Sequence, residues 1–150
     1  MILLDTNVVS EPLKAAGDTN VLAWIDAQII ETLYLSTISL AELRFGIAVL
    51  SEGKRRDSLH FSFEQRVLPL FAGRILPFDD SASKSYATLR ARARASGHTF
   101  APADGYIAAV AAAHGFAVAT RDTSPFDAAG LAVINPWTWQ ANQRPPPGQR

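Results

Sequence analysis

A small, apolar helical segment handed directly to a compact strand, each with an acid beside it, constrains this chain more than any other stretch. The sequence runs Ala101-Pro102-Ala103-Asp104-Gly105-Tyr106-Ile107-Ala108-Ala109, continues through Val110 to His114, and meets Gly115. Pro102 suits a first helical turn and Gly115 a helix end. Phe116-Ala117-Val118-Ala119-Thr120 then reads as a strand, with Asp122 just past it. Two carboxylates, Asp104 at the helix head and Asp122 after the strand, are thereby aimed at one place. The remaining acids sort by whether they arrive there too, and Asp5 and Glu42 do.

The same alternation of helix and strand recurs along the chain. Ile2-Leu3-Leu4 follows no helical period and stops at Asp5-Thr6-Asn7, which fits a buried first strand with an acid at its carboxyl end. Ser10-Glu11-Pro12 breaks the chain. Asp18 or Thr19 can cap a helix with Val21, Leu22, Ile25 and Ile29 on its apolar face and Trp24 flanking that face. Leu33-Tyr34-Leu35 is a second strand. Ser39-Leu40-Ala41-Glu42 matches a capping box ahead of Leu43, Ile47 and Leu50, so a helix is expected to start there. After the basic run Lys54-Arg55-Arg56, Leu59, Phe63, Val67 and Leu70 mark another helix ending near Pro69. Ile75-Leu76-Pro77-Phe78 reads as an edge strand, because proline removes a ladder hydrogen bond. Asp79 can cap the helix Ser81 to Ala95, and Leu131-Ala132-Val133-Ile134 closes the core.

Strands separated by helices predict an α/β fold with a mainly parallel central sheet of about five strands. Residues 1–139 are expected to form one domain, and 140–150, with Pro145-Pro146-Pro147, a flexible tail. A chain of 150 residues can bury roughly two-thirds of its unfolded surface. Fourteen basic residues balance fourteen acidic ones, so bulk charge gives no affinity for nucleic acid and any such site must be local. With no cysteine, disulfides, thiolate metal sites and cysteine nucleophiles are excluded, which suits a reducing cytoplasm. Ile2-Leu3-Leu4 has no basic leader and meets Asp5 at once, so neither a signal peptide nor a membrane span is expected.

In an open parallel sheet, functional groups gather beyond the carboxyl ends of the strands. Asp5, Glu42, Asp104 and Asp122 all fall on that side. Two carboxylates about 4 Å apart repel by about 4 kcal/mol at an effective dielectric of 20, and a hard divalent cation relieves this. Oxygen donors without histidine or cysteine favour Mg²⁺ or Mn²⁺ over Zn²⁺. Such a cation can polarise a phosphoryl oxygen and activate water for phosphodiester hydrolysis. Thr6, Asn7 and Thr120 are placed to orient ligands from behind.

Each acid has a plainer reading as well. Glu42 can be the capping-box partner of Ser39, Asp104 can serve the positive end of its helix, and Asp122, before Thr123-Ser124-Pro125, can form a turn. Asp5 has no local helix to serve in this reading. His60, His98 and His114 share no ligand spacing, and no serine triad or glycine-rich phosphate loop is present. Arg90, Arg92, Arg94 and the run 54–56 read as solvated faces or phosphate contacts, while Arg121 adjoins the acids and is the candidate phosphate contact.

The segments Met1-Ile2-Leu3-Leu4-Asp5-Thr6-Asn7, Ser39-Leu40-Ala41-Glu42-Leu43, Asp104-Gly105-Tyr106-Ile107-Ala108-Ala109, Ala119-Thr120-Arg121-Asp122 and Asn135-Pro136-Trp137, in that order, resemble the PIN-domain ribonucleases. More narrowly they resemble VapC-type toxins of toxin–antitoxin pairs, in the FitB-like branch. The resemblance implies a metal-dependent endoribonuclease with Asp5, Glu42, Asp104 and Asp122 as its acidic quartet and Thr120 as the hydroxyl residue near the metal. Many relatives carry asparagine at the position of Asp122. It also implies a homodimer and a small antitoxin with a DNA-binding domain, through which a larger assembly meets operator DNA. The competing expectation is a chain that acts mainly within that operator-binding complex. A DNA nuclease is a third, since the site chemistry does not read the 2′-hydroxyl.

Overall fold

The structure, a computed structural model, describes residues 1–142. Its strands are β1 (Ile2–Leu4), β2 (Leu33–Ser36), β3 (Ile75–Leu76), β4 (Ala117–Ala119) and β5 (Val133–Ile134), in the spatial order β3-β2-β1-β4-β5. Every pairing is parallel, with Leu3 opposite Tyr34 on one flank and Val118 on the other. The helices are α1 (Thr6–Ser10), α2 (Thr19–Asp26), α3 (Thr37–Ala48), α4 (Lys54–Phe61), α5 (Asp80–Ala95), α6 (Pro102–His114) and α7 (Ser124–Ala128). The parallel five-stranded α/β sheet expected from the alternation is therefore present, with β3 at an edge as Pro77 requires.

Successive residues of a strand face opposite sides of a sheet, and each side here has its own core. Leu3 and Val118 pack with Leu89 of α5, Ile107 and Val110 of α6 and Phe126 of α7. Leu4 and Ala119 pack with Val8 of α1, Val21 and Trp24 of α2, Leu40 and Leu43 of α3, and Phe63. Ile107 through Ala111 are completely buried. Their small side chains let α6 fit between the sheet and α5 at close-packed density. Burying one residue such as Phe126 or Ile107 contributes about 1.5–3 kcal/mol.

Polar ends fix where these helices start. Asp18 accepts from the amides of Asn20 and Val21, and Asp79 from that of Ala82. Gly115 ends α6 with φ +68°, the left-handed conformation that favours glycine.

Four local expectations are corrected. First, α3 starts at Thr37, not Ser39: Ser36 is its cap, accepting from the Ser39 amide at 3.2 Å. Ser39 is thus three residues into the helix and Glu42 lies a turn beyond it, too far along for a capping box. Replacing Ser36 with alanine is expected to lower stability by about 1 kcal/mol, seen as a reduced denaturant midpoint with an unchanged slope.

Second, Thr6–Ser10 is helical, so Asp5 does have a helix behind it and sits at its cap. Third, α2 ends at Asp26, which brings Trp24 inside at 2% exposure and leaves Ile29 69% exposed. Fourth, the helix expected through Val67 and Leu70 changes winding, to a π-helical stretch at Ser62–Val67 and a 3₁₀ turn at Leu68–Phe71. The altered pitch buries Phe63 and Phe71 and turns Leu70 outward.

Of the expected tail, Ala141 and Asn142 form a turn and residues 143–150 lie outside the described residues. Among the described residues no helix is long and apolar enough to cross a membrane.

Candidate active site

The strand order reverses direction at β1, whose neighbours are β2 on one side and β4 on the other. At such a switch point the connections leave in opposite directions and open a crevice beyond the carboxyl ends. Asp5 leaves β1 into that crevice, Thr120 to Asp122 leave β4, and Ser36 leads from β2 into α3, which carries Glu42. Asp104 enters from the first turn of α6.

Asp5 is the most enclosed of the four, at 4% exposure. One carboxylate oxygen accepts from the Thr6 amide and the other from the Thr120 hydroxyl, both at 2.8 Å. Thr120 is fully buried and its hydroxyl in turn accepts from the Asp122 amide at 3.2 Å. One threonine therefore sets both Asp5 and the turn that presents Asp122. On the other flank, the Thr6 hydroxyl contacts Glu42 Oε1 at 2.6 Å and Ser39 Oγ at 3.1 Å. Ser39, completely buried, stands 3.5 Å from Ser36 Oγ. Glu42 is an exposed carboxylate held by a chain of hydroxyls rooted in the core.

The ionisation of these acids records their proximity. Burial raises the Asp5 carboxyl above its ordinary value, against the two hydrogen bonds that hold it down, and the charges of Glu42 and Asp122 add to the rise. Asp104 is pushed up to about 6, by burial first and then by Asp5, Glu42 and Asp122. Asp5, Glu42 and Asp122 thus all act on Asp104, and Glu42 and Asp122 act on Asp5 as well. Glu11 is a useful contrast: burial raises it, but Lys14 and the Asp18 amide outweigh that and hold it low. An acid that ties a loop is stabilised as an anion; Asp5 and Asp104 are destabilised as anions, the pattern of a functional site.

The structure bears on the plainer readings. Glu42 is not a capping partner. Asp104 does occupy the first turn of α6, yet burial and the neighbouring negative charges together outweigh any help from the helix terminus. Asp122 lies between β4 and α7, with Thr123 at the first position before α7 and making no side-chain capping bond, so its reading as a turn residue stays open. Thr6 and Thr120 touch the acids; Asn7 keeps a buried Oδ1 with no hydrogen-bond partner among the described residues. Arg121 is exposed, with its guanidinium 5.2 Å from the Trp137 ring centre, and its charge acts on Glu11. Ser36 and Ser39 have no site role in the sequence; they matter because Ser39, backed by Ser36, meets Thr6 more than thirty positions away, which local spacing does not reveal.

Among the described residues no three Asp, Glu, His or Cys side chains are already closed to metal-cage spacing. A small hard cation that keeps several waters needs only one or two direct carboxylates, so an open oxygen-only cluster with raised carboxyls suits it.

An all-parallel α/β sheet with acids from four elements at its switch point is the class of protein defined so far. The chain belongs to the PIN domain family, which it matches over residues 2–131. It is 65% identical over 137 residues to the VapC ribonuclease Y4jK of Sinorhizobium fredii, covering 91% of this chain and 98% of that one. It is 56% identical over 137 residues to toxin FitB of Neisseria gonorrhoeae, covering 91% and 99%. The structure of FitAB bound to an IR36 DNA fragment superposes with a TM-score of 0.90 at 52% identity, covering 95% of this chain and all of that one.

Proposed function

We propose that this chain is the toxin of a toxin–antitoxin pair, an endoribonuclease that hydrolyses RNA phosphodiester bonds in the cytoplasm with the help of Mg²⁺ or Mn²⁺. The observation that carries this reading is Asp104, whose carboxyl is raised to about 6 by burial and by three other acids delivered from separate elements. The VapC ribonuclease and FitB toxin relatives support it. Asp5, Glu42, Asp104 and Asp122 would hold the cation, which would supply polarisation of a phosphoryl oxygen and easier ionisation of water. The chain's own work is positional: Thr120 and the Thr6 amide aim Asp5 and favour its anion against burial, the Thr6 hydroxyl steadies Glu42, and Arg121 meets the RNA backbone.

The antitoxin-free protein is expected to cleave RNA with added Mg²⁺ or Mn²⁺, to lose that activity in chelator, and to leave DNA intact on gels of tRNA, rRNA and DNA. Cleavage surviving in chelator would remove the metal from the proposal, and equal cleavage of DNA would remove the ribonuclease assignment.

A second reading is favoured by the DNA-bound FitAB complex: the chain works mainly within an assembly with a small antitoxin, formed on a homodimer, that meets operator DNA through the antitoxin. Growth separates the two. Expression without antitoxin should arrest cells for the wild type but not for Asp5→Asn, whereas equal growth favours the binding role.

A further inference from the structure

Outside the acidic crevice, the described surface has a cleft of about 530 Å³ where the second half of α5 meets the loop before α6, lined by Arg90, Arg94, His98, Thr99 and Phe100. No carboxylate lines it, and neither arginine stands in an ion pair among the described residues. In a chain of zero net charge, two unpaired guanidiniums side by side are a local feature, not an overflow of bulk charge.

The cleft is joined to the acids. Gly105, the residue after Asp104, is so closely approached that a Cβ there would lie 3.2 Å from the Tyr86 ring and 3.5 Å from Phe100 Cβ. Tyr86 holds Arg90, accepting from Nη1 at 2.7 Å with the guanidinium 5.5 Å from the ring centre. Tyr86 also stacks on Tyr106 of α6, ring centres 5.0 Å apart and 20° from parallel, and both tyrosines are partly exposed. Arg90 held by Tyr86, the stacked tyrosines and the segment carrying Asp104 therefore meet at the α5–α6 junction.

We propose that this cleft is the phosphate-binding subsite for the nucleic-acid strand flanking the bond to be cut, with Arg90 and Arg94 each neutralising one phosphate and the Tyr86–Tyr106 pair offering a stacking face. It rests on the nuclease reading above and extends it, by saying which way the strand leaves the acids. Cations beside an aromatic surface are how proteins hold single strands without reading sequence. An acidic peptide would use the charges but not the rings.

The test is binding of a labelled single-stranded RNA about 12 nucleotides long, the span of an extended single-strand site, measured in chelator across a salt series. The Arg90→Gln/Arg94→Gln double variant is expected to bind about tenfold more weakly, with a log–log salt slope shallower by about 1.4, or 0.7 per lost phosphate contact. The Arg90→Lys/Arg94→Lys variant should regain most of the affinity. With metal restored, the Gln variant should show a raised KM and an unchanged kcat. Equal affinity and slope for wild type and double variant, or no RNA binding by wild type, overturns the subsite. Competition by polyglutamate as strong as by RNA overturns it in favour of an acidic protein partner. Wild type that binds RNA through these arginines yet cleaves none overturns the nuclease reading and leaves the subsite standing.

Discussion

Replacing Asp104 with asparagine is expected to cut RNA cleavage by about a hundred- to a thousandfold or more, the scale on which one preorganised electrostatic group acts, while making the metal-free protein more stable at pH 7. The two effects share one origin, because the carboxylate that would attract a cation is also the one its neighbours repel. The sign follows from the raised carboxyl. Below the unfolded value of 3.8 the group is protonated in both states and contributes nothing. Between 3.8 and about 6 the folded protein holds the proton that the unfolded chain has lost, so stability falls as pH rises, and above about 6 the penalty is complete. For a half-exposed group, solvent screening reduces this to about 1–2 kcal/mol. Losing an acid from the first turn of α6 costs about 0.3–1 kcal/mol in the other direction. The penalty from burial and repulsion is larger, so thermal melts in chelator should show Asp104→Asn above wild type at pH 7 and not above it at pH 4. Added Mn²⁺ should raise the wild type more than the variant. A variant that melts lower in chelator at pH 7 would mean that Asp104 serves only its helix.

What the sequence disclosed and what it withheld divide along one physical line. Strand identity, parallel pairing and the edge position of β3 follow from apolar runs, intervening helices and Pro77, all of them properties of neighbours in sequence. The capping role of Asp79 and the helix end at Gly115 are local in the same sense. The convergence of Asp5, Glu42, Asp104 and Asp122 was inferable only by supposing a parallel sheet and asking what lies beyond its strand ends. The errors arose where a distant contact decided a local matter. Ser39 looks like a cap because serine three residues ahead of glutamate is the local pattern, but Ser36, at the end of a strand fixed by β1 and β3, starts the helix first. Asp5 looked free of any helix because five residues are too few to show a period. Trp24 flanks the apolar face of a helix run on to Ile29 but lies inside one that ends at Asp26. Nothing in the spacing of Thr6, Ser39 and Glu42 announces the hydroxyl chain that holds Glu42 in place.

Thr120→Val should damage both stability and activity, and its pH dependence separates the site role from mere packing. Valine keeps the shape of threonine in a position with no exposure, so no cavity forms. What is lost is the hydroxyl that donates to Asp5 and accepts from the Asp122 amide. A hydrogen bond to a charged group contributes about 1.5–3 kcal/mol, and water has little access to an Asp5 that is 4% exposed. That bond opposes the rise that burial imposes on the Asp5 carboxyl, so removing it drives the carboxyl higher. The folded protein then keeps the Asp5 proton to higher pH than before. Its stability deficit against wild type should accordingly be small in acid, where Asp5 is protonated in both proteins, and widen as pH rises. The acidic limb of kcat/KM should shift upward, since a larger share of the protein carries neutral Asp5 at a given pH. Thr120→Ser, which retains the donor, should keep the wild-type profile even if its lost methyl lowers the melting temperature. An unshifted limb in Thr120→Val beside a lowered melting temperature would reduce Thr120 to a packing residue and leave Asp5 to be held by the Thr6 amide alone.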